Sequence, residues 1–333
     1  MRVKIKDVAE KAGVSIATVS LALNGNEKIN VETRRRVAEV AKALGYQPNP
    51  SAKRLASRKS RQIGLVVPDI ENIYYAALAQ YVLNELRTGD YALLIATSMN
   101  SRQMERRIVS DMIGNQVEGL MIAPVEKPND NIEYLDALND ADIPCVFVTA
   151  SYPDLNPPCV MCDLYGGMRA LLDRLYAGGC RRIELLTGAQ NVHCFDLRDN
   201  AYLDFCEEKE LAFRRVHHLN GIRYDDAFDH VRTMALDGTN AVVCVNDMMA
   251  LGAINALNAR GLRVPEDIAV TGFDDSIFSR VSPVTITTVR QDVRRMAVNA
   301  AAWMLDRVQG RTPDPGHLQL IPCEVMLRRS TER

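Results

Sequence analysis

Short apolar runs recur from Gln62 onward, and each is followed by a loop or an amphipathic stretch. Such runs, alternating with amphipathic segments, are typical of parallel sheets with crossover helices. The stretch is about 270 residues long, which favours two lobes rather than one. The runs are IGLVVPD, YALLIA, EGLMIAP, PCVFVTA, CVMCD, RIELLTG, AVVCVND and IAVTGFD.

Acidic side chains follow several of these runs directly. In open parallel sheets, ligands bind beyond the carboxyl ends of the strands. The pattern therefore predicts a polar ligand site at that edge. The sequence contains no glycine-rich dinucleotide fingerprint and no P-loop, and we expect neither a cofactor nor a metal. The acidic residues are Asp69, Asp163, Asp247, Asp274 and Asp275.

The net charge of −2 conceals a strong asymmetry along the chain. Residues 1–61 contain 14 Lys and Arg against 5 Asp and Glu, a net of +9, which leaves 26 against 37, a net of −11, for the remainder. A basic head on an acidic body indicates a nucleic-acid-binding module joined to a second function.

The basic head has the pattern of three short helices. Two predicted helices, about Ile5 to Ala12 and Ile16 to Leu23, are broken at Gly13, and Ser15 can cap the second. The segment NVETRRRVAEVAKALGY gives a third helix with one apolar face, and prolines end it. The spacing is that of a helix-turn-helix, followed by a short predicted helix at about 51–56.

Several protein classes are disfavoured by composition. No run reaches the roughly 18 apolar residues of a membrane span, and the N-terminus lacks the apolar core of a signal peptide, so we expect a cytoplasmic protein without membrane contact. The eight cysteines are scattered in apolar segments and are interpreted as reduced core residues. Cys159 and Cys162 form one CxxC pair without the second pair that a zinc site requires.

The segments KIKDVAEKAGVSIATVSLALNG, ETRRRVAEVAKALGYQPNPSAKRLA, IGLVVPDI, NDMMALGAINAL and VTGFDDS together resemble the lactose/galactose repressor family of bacterial transcription regulators. The resemblance covers essentially the whole chain. It implies an all-α helix-turn-helix head on a two-lobed α/β body like that of periplasmic sugar-binding proteins. It also implies a homodimer that binds palindromic double-stranded operator DNA, and a small-molecule effector, a sugar, between the lobes.

The resemblance also divides the chain into functional segments. The head spans residues 1–48, a hinge helix and linker span 49–61, and the body spans 62–333. Within the body, the N-lobe takes about 62–158 and 290–320, and the C-lobe takes about 159–289. The chain ends without a leucine-heptad tail, which favours a dimer over a tetramer.

DNA contacts are expected in the head and the hinge. The second helix lacks Arg, Lys, Gln and Glu, and Leu21 stands where relatives often carry an Arg. The alternative is that Leu21 is a core residue of the helix. Leu55 matches a leucine that relatives insert into the minor groove. The expected contacts are Lys6, Ser15, Ile16, Ala17, Thr18, Ser20, Leu21, Asn24, Asn30, Tyr46, Asn49, Ala52, Lys53 and Leu55.

Effector contacts are expected at the strand ends of both lobes. Arg198 matches a family position that binds ligand oxygens, and a planar guanidinium suits diols or carboxylates. Thr149 stands where sugar-responsive relatives often have an Asp, which leaves the effector class open. The expected contacts are Asp69, Asn72, Tyr74, Tyr75, Thr149, Arg198, Tyr224, Asn246, Asp247 and Asp274.

The rival hypothesis is an enzyme acting between the lobes. Asp247 and Asp274 would then form an acid/base pair, or His193 would act as a base. The five histidines show no catalytic or metal-ligand spacing, and His217 and His218 are interpreted as surface or loop residues. We therefore expect a regulator rather than an enzyme.

Overall fold

The chain folds into two compact units, residues 1–60 and 61–333. The structure is a computed structural model. It describes residues 3–23, 25–46, 60–125, 134–150, 158–190, 192–311 and 318–332.

The head consists of three helices, α1 (Ile5–Ala12), α2 (Ile16–Leu23) and α3 (Val31–Ala43). The first two have the predicted bounds. Gly13 ends α1 at φ 64°, a left-handed conformation that glycine adopts without strain. The helices enclose one small core, whose fully buried members are Val8, Val19 and Val37.

The body contains two parallel sheets and a small antiparallel ribbon. The first sheet has the order β11-β5-β4-β3-β1-β2 and the second the order β7-β6-β8-β9. The ribbon pairs β10 with β12. The strands are β1 Gln62–Val67, β2 Ala92–Thr97, β3 Gly119–Ile122, β4 Cys145–Val148, β5 Cys159–Cys162, β6 Ile183–Thr187, β7 Arg215–His218, β8 Ala241–Cys244, β9 Ala269–Thr271, β10 Thr288–Arg290, β11 Leu318–Ile321 and β12 Glu324–Met326.

Helices cover both sheets. They are α4 Ile73–Thr88, α5 Arg102–Gly114, α6 Tyr134–Asp140, α7 Leu164–Ala177, α8 His193–Glu208, α9 Tyr224–Thr233, α10 Asp247–Ala259, α11 Ile277–Val281 and α12 Val293–Val308, with a 3₁₀ helix at Arg329–Thr331. In the first lobe α12 packs on α4. Trp303 of α12 is half-buried, with the Arg307 guanidinium 5.8 Å from its ring centroid.

The chain crosses between the lobes three times, after β5, after β10 and after β11. The strand Cys159–Cys162 pairs with β4 and β11 in the first sheet. The change of lobe therefore falls after Cys162, slightly later than the predicted boundary near 159.

All eight predicted apolar runs contain strands, and the other four strands, β7, β10, β11 and β12, lie outside those runs. Of the two histidines interpreted as surface or loop residues, His218 is exposed, whereas His217 is half-buried. Its Nε2 lies 2.6 Å from the carboxylate of the fully buried Glu184, and its Nδ1 lies 3.0 Å from Nε2 of His230. Strand β7 is the edge strand beside β6, which places His217 against that carboxylate.

All eight cysteines are free thiols, six of them buried, as predicted. Among the described residues, no group of three or more His, Cys, Asp or Glu side chains is arranged to hold a metal ion. No described helix is both long and apolar enough to cross a membrane.

Candidate functional site

Helix α2 begins with a hydroxyl cap. Ser15 Oγ accepts a hydrogen bond from the Thr18 amide at 3.1 Å and lies 2.9 Å from Thr18 Oγ1. A serine at this position satisfies an amide that would otherwise lack a partner at the helix start. The cap fixes where the helix begins, and therefore which of its residues face outward.

The outward side of α2 is apolar. Ile16 is 51% exposed and Leu21 is 38% exposed, and Ala17 beside them is also exposed. Val19 and Ala22 fill the inner side. The alternative in which Leu21 is a core residue is therefore wrong.

The other predicted DNA contacts in the head occupy varied positions. Lys6 is exposed on α1, and Ser20 is half-buried. Asn30 caps α3, with its side-chain oxygen 2.7 Å from the Thr33 amide. Tyr46 packs against the head core. Five predicted contacts lie outside the described residues: Asn24, Asn49, Ala52, Lys53 and Leu55.

The loop after β1 carries the predicted contacts of the first lobe. Asp69 Oδ1 accepts from the Glu71 amide at 2.9 Å, and Asn72 caps α4. Tyr74 is buried, with its hydroxyl 3.7 Å from the sulfur of Met296 on α12. Tyr74 therefore belongs to the packing between α4 and α12.

Tyr75 of the first lobe lies near charged groups of the second lobe. Burial raises the pKa of its hydroxyl, and a hydrogen bond with Thr149 lowers it. Its hydroxyl is also within electrostatic range of Asp274 and Arg198, which belong to the second lobe. Thr149 holds a left-handed backbone at φ 73°, a conformation that a β-branched residue rarely adopts.

Arg198 is buried and held rigidly. Its Nε donates to the Cys194 carbonyl at 2.9 Å, and its Nη1 donates to the Val245 carbonyl at 2.6 Å. The guanidinium lies 5.4 Å from the ring centroid of Phe195 and 5.0 Å from that of Phe273. These contacts keep the cation in place.

Asp274 stands close to this cation in a strained conformation. Its φ is 103°, its amide donates to the Val289 carbonyl at 2.8 Å, and its Oδ1 accepts from Gln291 Nε2 at 2.7 Å. Burial, and then the charge of Asp247, raise the pKa of Asp274 to about 8. Strain of this kind persists only where neighbours over-determine the conformation.

Asp247 lies deeper and is occupied by protein donors. Its two oxygens accept from Thr288 Oγ1 and from the Ser276 amide, each at 2.6 Å. Burial raises its pKa to about 6. A Cβ on Gly272 would lie 2.3 Å from Asp247 Oδ1, so this close approach requires glycine.

Strand β10 connects these carboxylates to the crossover between the lobes. The Thr288 hydroxyl donates to Asp247, and the Val289 carbonyl accepts from the Asp274 amide. Arg290 pairs with Asp275 at 2.8 Å, and Gln291, directly after the strand, donates to the Asp274 carboxyl. Arg328 also binds Asp275, at 2.5 Å. Burial raises the pKa of Asp275, but the two arginines outweigh that effect and hold it below its usual range.

Two predicted effector contacts take part in the second lobe's own structure. Asn246 caps α10 and donates to the Ile222 carbonyl at 2.8 Å. The Tyr224 hydroxyl accepts from Asn255 Nδ2 at 2.9 Å. Neither contact reaches Arg198 or Asp274.

Sequence reasoning missed three participants, Gln291, Phe273 and Arg223. Arg223 of the second lobe reaches the first, with Nη2 2.7 Å from Glu71 Oε2 and 3.6 Å from Asp69 Oδ2. Its partners are about 150 residues away in sequence, so no local pattern indicates the pair. Phe273 lies near Arg198, and Gln291 lies near Asp274. Both contacts join segments that are distant in sequence, so they follow only from the fold.

We name Tyr75, Thr149, Arg198 and Asp274 the interlobe cluster. A separate cavity of about 280 Å³ lies at the amino edge of the second sheet and is lined mainly by apolar groups from α7, β9 and the last described residues. The interlobe cluster, which combines a cation, a carboxyl and two hydroxyls, has the convergent polar groups that a specific ligand site requires.

A helix-turn-helix head followed by a two-lobed, parallel-sheet body with a polar site between its lobes defines a class of two-domain bacterial transcription regulators. The model "Bacterial regulatory proteins, lacI family" matches residues 4–49, and the model "Periplasmic binding protein-like domain" matches residues 172–331. The chain is 30% identical over 331 residues to the ribose operon repressor of Bacillus subtilis, covering 99% of this chain and 98% of the relative. The chain belongs to the lacI family.

Solved structures agree with this assignment. A lac repressor dimer bound to operator and an anti-inducer matches with a TM-score of 0.88 and 25% identity, covering 99% of each chain. The transcriptional regulator CelR in complex with cellobiose matches with a TM-score of 0.72 and 27% identity, covering 99% of this chain and 100% of the other. The fold is therefore that of the lac repressor.

Proposed function

We propose that this protein is a homodimeric transcriptional repressor whose affinity for palindromic operator DNA changes when a neutral sugar binds the interlobe cluster. The observation that carries the proposal is the buried Arg198, fixed by two backbone carbonyls, beside Asp274 and opposite Tyr75 of the other lobe. A ligand contacting both sides would bias the arrangement of the lobes.

The charges around the cluster favour an uncharged ligand. At neutral pH Arg198 is a cation, Asp247 with a pKa of about 6 is an anion, and Asp274 with a pKa of about 8 holds its proton. The charges of these three groups sum to zero, and burial raises the pKa of Asp199, another carboxyl within electrostatic range of Arg198. Hydroxyl groups both donate and accept hydrogen bonds, so a polyol can satisfy a guanidinium and a carboxyl together without adding a buried charge.

Two relatives support a sugar. One is bound to cellobiose, and another is named for the ribose operon. In our proposal Asp247 positions Asp274, while Asp69 and Asn72 shape the loop at the start of α4. Tyr74, Tyr224 and Asn246 serve packing and capping, and the proposal does not use them as contacts.

A thermal-shift titration tests the effector site. D-ribose and cellobiose are compared with the anions D-ribose 5-phosphate and D-gluconate. We expect a neutral sugar to stabilise the protein, by about 2.7 kcal/mol at 100 times its Kd. Arg198→Met should abolish this stabilisation, whereas the matched control Arg232→Met, at an exposed arginine of α9, should retain it. Stabilisation by the anions alone would contradict a neutral effector.

The head carries the operator-binding part of the proposal. Its net charge of +9, its exposed α2 face and the operator-bound lac repressor match support DNA as the partner. Binding should weaken by orders of magnitude between about 50 and 200 mM salt if six or more phosphates are contacted. A gel shift of the full chain across this range measures the slope. Binding by a fragment that begins at Gln62 would contradict the assignment to the head.

A further inference from the structure

Helix α2 carries no amide, carboxyl, guanidinium or ammonium side chain, and its polar side chains are the half-buried hydroxyls of Thr18 and Ser20. Ile16, Ala17 and Leu21 are exposed, and we name these three the recognition face. The hydroxyls of Ser15 and Thr18, at the start of the helix, bond to each other, and Ser15 Oγ also accepts from the Thr18 amide. Any recognition through the face itself therefore depends on apolar contact.

The head core does not require these side chains. Val19 and Ala22 are the buried residues of α2, and Leu23 packs beside them. Ile16 and Leu21 remain 51% and 38% exposed, although large aliphatic side chains gain hydrophobic stabilisation when they are buried. An exposed apolar face of this kind, on the second helix of a helix-turn-helix, marks a contact surface.

Charge complementarity identifies the occupant. The face belongs to a segment with 14 basic and 5 acidic residues, and Lys6 on α1 is exposed. Such a surface suits a polyanion. The second helix of a helix-turn-helix enters the major groove with its N-terminal residues against the base edges, and Ile16 and Ala17 begin α2.

The major groove offers one apolar group on its base edges, the C5-methyl of thymine. We propose that the recognition face selects operator half-sites by apolar contact with thymine methyl groups, and that it does not depend on a hydrogen bond to guanine. This inference rests on the proposed function, because it specifies how the operator is read.

Replacing thymine by deoxyuridine tests this directly, because it removes the methyl group and leaves base pairing intact. Operators are first selected from random duplexes with the full-length protein. Each thymine in a half-site is then replaced by deoxyuridine. We expect affinity to fall about fourfold for each contacted methyl. Replacement of thymines outside the half-sites should leave affinity unchanged.

Variants assign the methyl groups to side chains. In Leu21→Ala, the loss of affinity on deoxyuridine substitution should disappear at one symmetric position of the half-sites and persist at the others. In Ile16→Ala, the loss should disappear at a different symmetric position. Val31→Ala removes another exposed aliphatic group, 71% exposed at the start of α3, and should keep every deoxyuridine effect. Thermal unfolding of each variant shows that the head remains folded.

The outcomes separate this inference from the function on which it rests. A selected operator whose deoxyuridine form binds as tightly as its thymine form would overturn the inference while operator binding stands. Failure to select any duplex would overturn the proposed function and the inference with it. Leu21→Arg should shift the selected sequence toward guanine at one symmetric position, and an unchanged consensus would remove Leu21 from the recognition face.

Discussion

The recognition face exposes Ile16 and Leu21 to solvent, whereas the interlobe cluster contains the buried Arg198 and the half-buried Asp274. The head thus presents apolar groups outward, and the body holds charges inward. Both arrangements are costly in the free protein, because exposed aliphatic groups and buried charges each lose favourable solvation. The ligands that we propose for the two surfaces differ accordingly: a polyanion with apolar base edges for the recognition face, and a neutral polyol for the interlobe cluster.

The two surfaces also differ in how the chain builds them. The recognition face comes from one helix of eight consecutive residues. The interlobe cluster is assembled from both lobes. Gln291, directly after β10, contacts its carboxyl group, and β10 contacts the neighbouring carboxyl groups of Asp247 and Asp275. Substitutions on the exposed recognition face should therefore leave the fold intact, whereas substitutions in the buried hydrogen-bond network around the interlobe cluster should change the free energy of unfolding.

The largest effect is expected at the buried ion pairs of Asp275. Asp275→Asn removes the charge that Arg328 and Arg290 contact at 2.5 and 2.8 Å, leaving a nearly buried guanidinium without an anion. Loss of one partner of such a pair costs about 3–5 kcal/mol. Urea unfolding measures this. Asp229→Asn, which breaks the exposed 3.7 Å pair with Arg232, is the control and should change stability by about 0.5 kcal/mol or less. Equal effects at the two sites would contradict the buried role.

A second pair of variants compares the two sides of α2. Val19→Ala should destabilise the head by about 2 kcal/mol, because it removes two buried methyl groups and leaves a cavity. Leu21→Ala should change stability by less than about 0.5 kcal/mol and act on DNA binding alone. Circular dichroism of the heat-induced transition separates the two. A large loss of stability in Leu21→Ala would mean that this side chain supports the core.

A smaller effect is expected from the pH dependence of Asp274. Its pKa of about 8 lies above the ordinary value of 3.8, so between these values the folded chain keeps a proton that the unfolded chain releases. The free energy of unfolding therefore falls as pH rises through this window and levels off above about 8. Asp274→Asn should reduce this fall, so that its gain in stability over the wild type is larger at pH 8 than at pH 5. The part of the fall that remains belongs to Asp247, whose pKa is also raised. Urea unfolding at pH 5 and pH 8 measures the difference; an equal difference at both would contradict the raised pKa.

The smallest effect is expected at Arg223, which crosses between the lobes at the surface. Its side chain is 66% exposed, so its pairs with Glu71 and Asp69 are screened by solvent. Arg223→Ala should lower the free energy of unfolding by about 0.5 kcal/mol or less at low salt and by less still at 1 M salt. Arg223→Glu combined with Glu71→Arg should restore the wild-type value. A salt-independent loss would show that packing, rather than charge, holds this contact.

The head and the main strands could be predicted because their signals are local. Gly13 and Ser15 mark the turn between α1 and α2, and the eight apolar runs mark the strands. The strands β10, β11 and β12 have three or four residues each and carry no such periodicity. These strands form where the chain crosses between the lobes, so their pairing depends on contacts between segments that are distant in sequence.

The interlobe cluster was only partly predictable. Arg198 and Asp274 could be selected from the sequence by their charge and position. Asn246 and Tyr224 were selected by the same reasoning, but in the structure Asn246 caps α10 and Tyr224 accepts a hydrogen bond from Asn255. Gln291 was not predicted because its partner, Asp274, lies 17 residues earlier, and only strand β10 brings the two residues together. Contacts between distant segments require the fold, since no short pattern encodes them.

The single tryptophan gives this molecule a natural optical reporter. Trp303 lies on α12 in the first lobe, half-buried and close to Arg307, and the only aromatic residue among residues 1–61 is Tyr46. Excitation at wavelengths that tyrosine does not absorb therefore yields emission from the body alone. Unfolding of the head is silent in that emission and visible in far-ultraviolet dichroism, so the two units can be followed separately in one unlabelled sample.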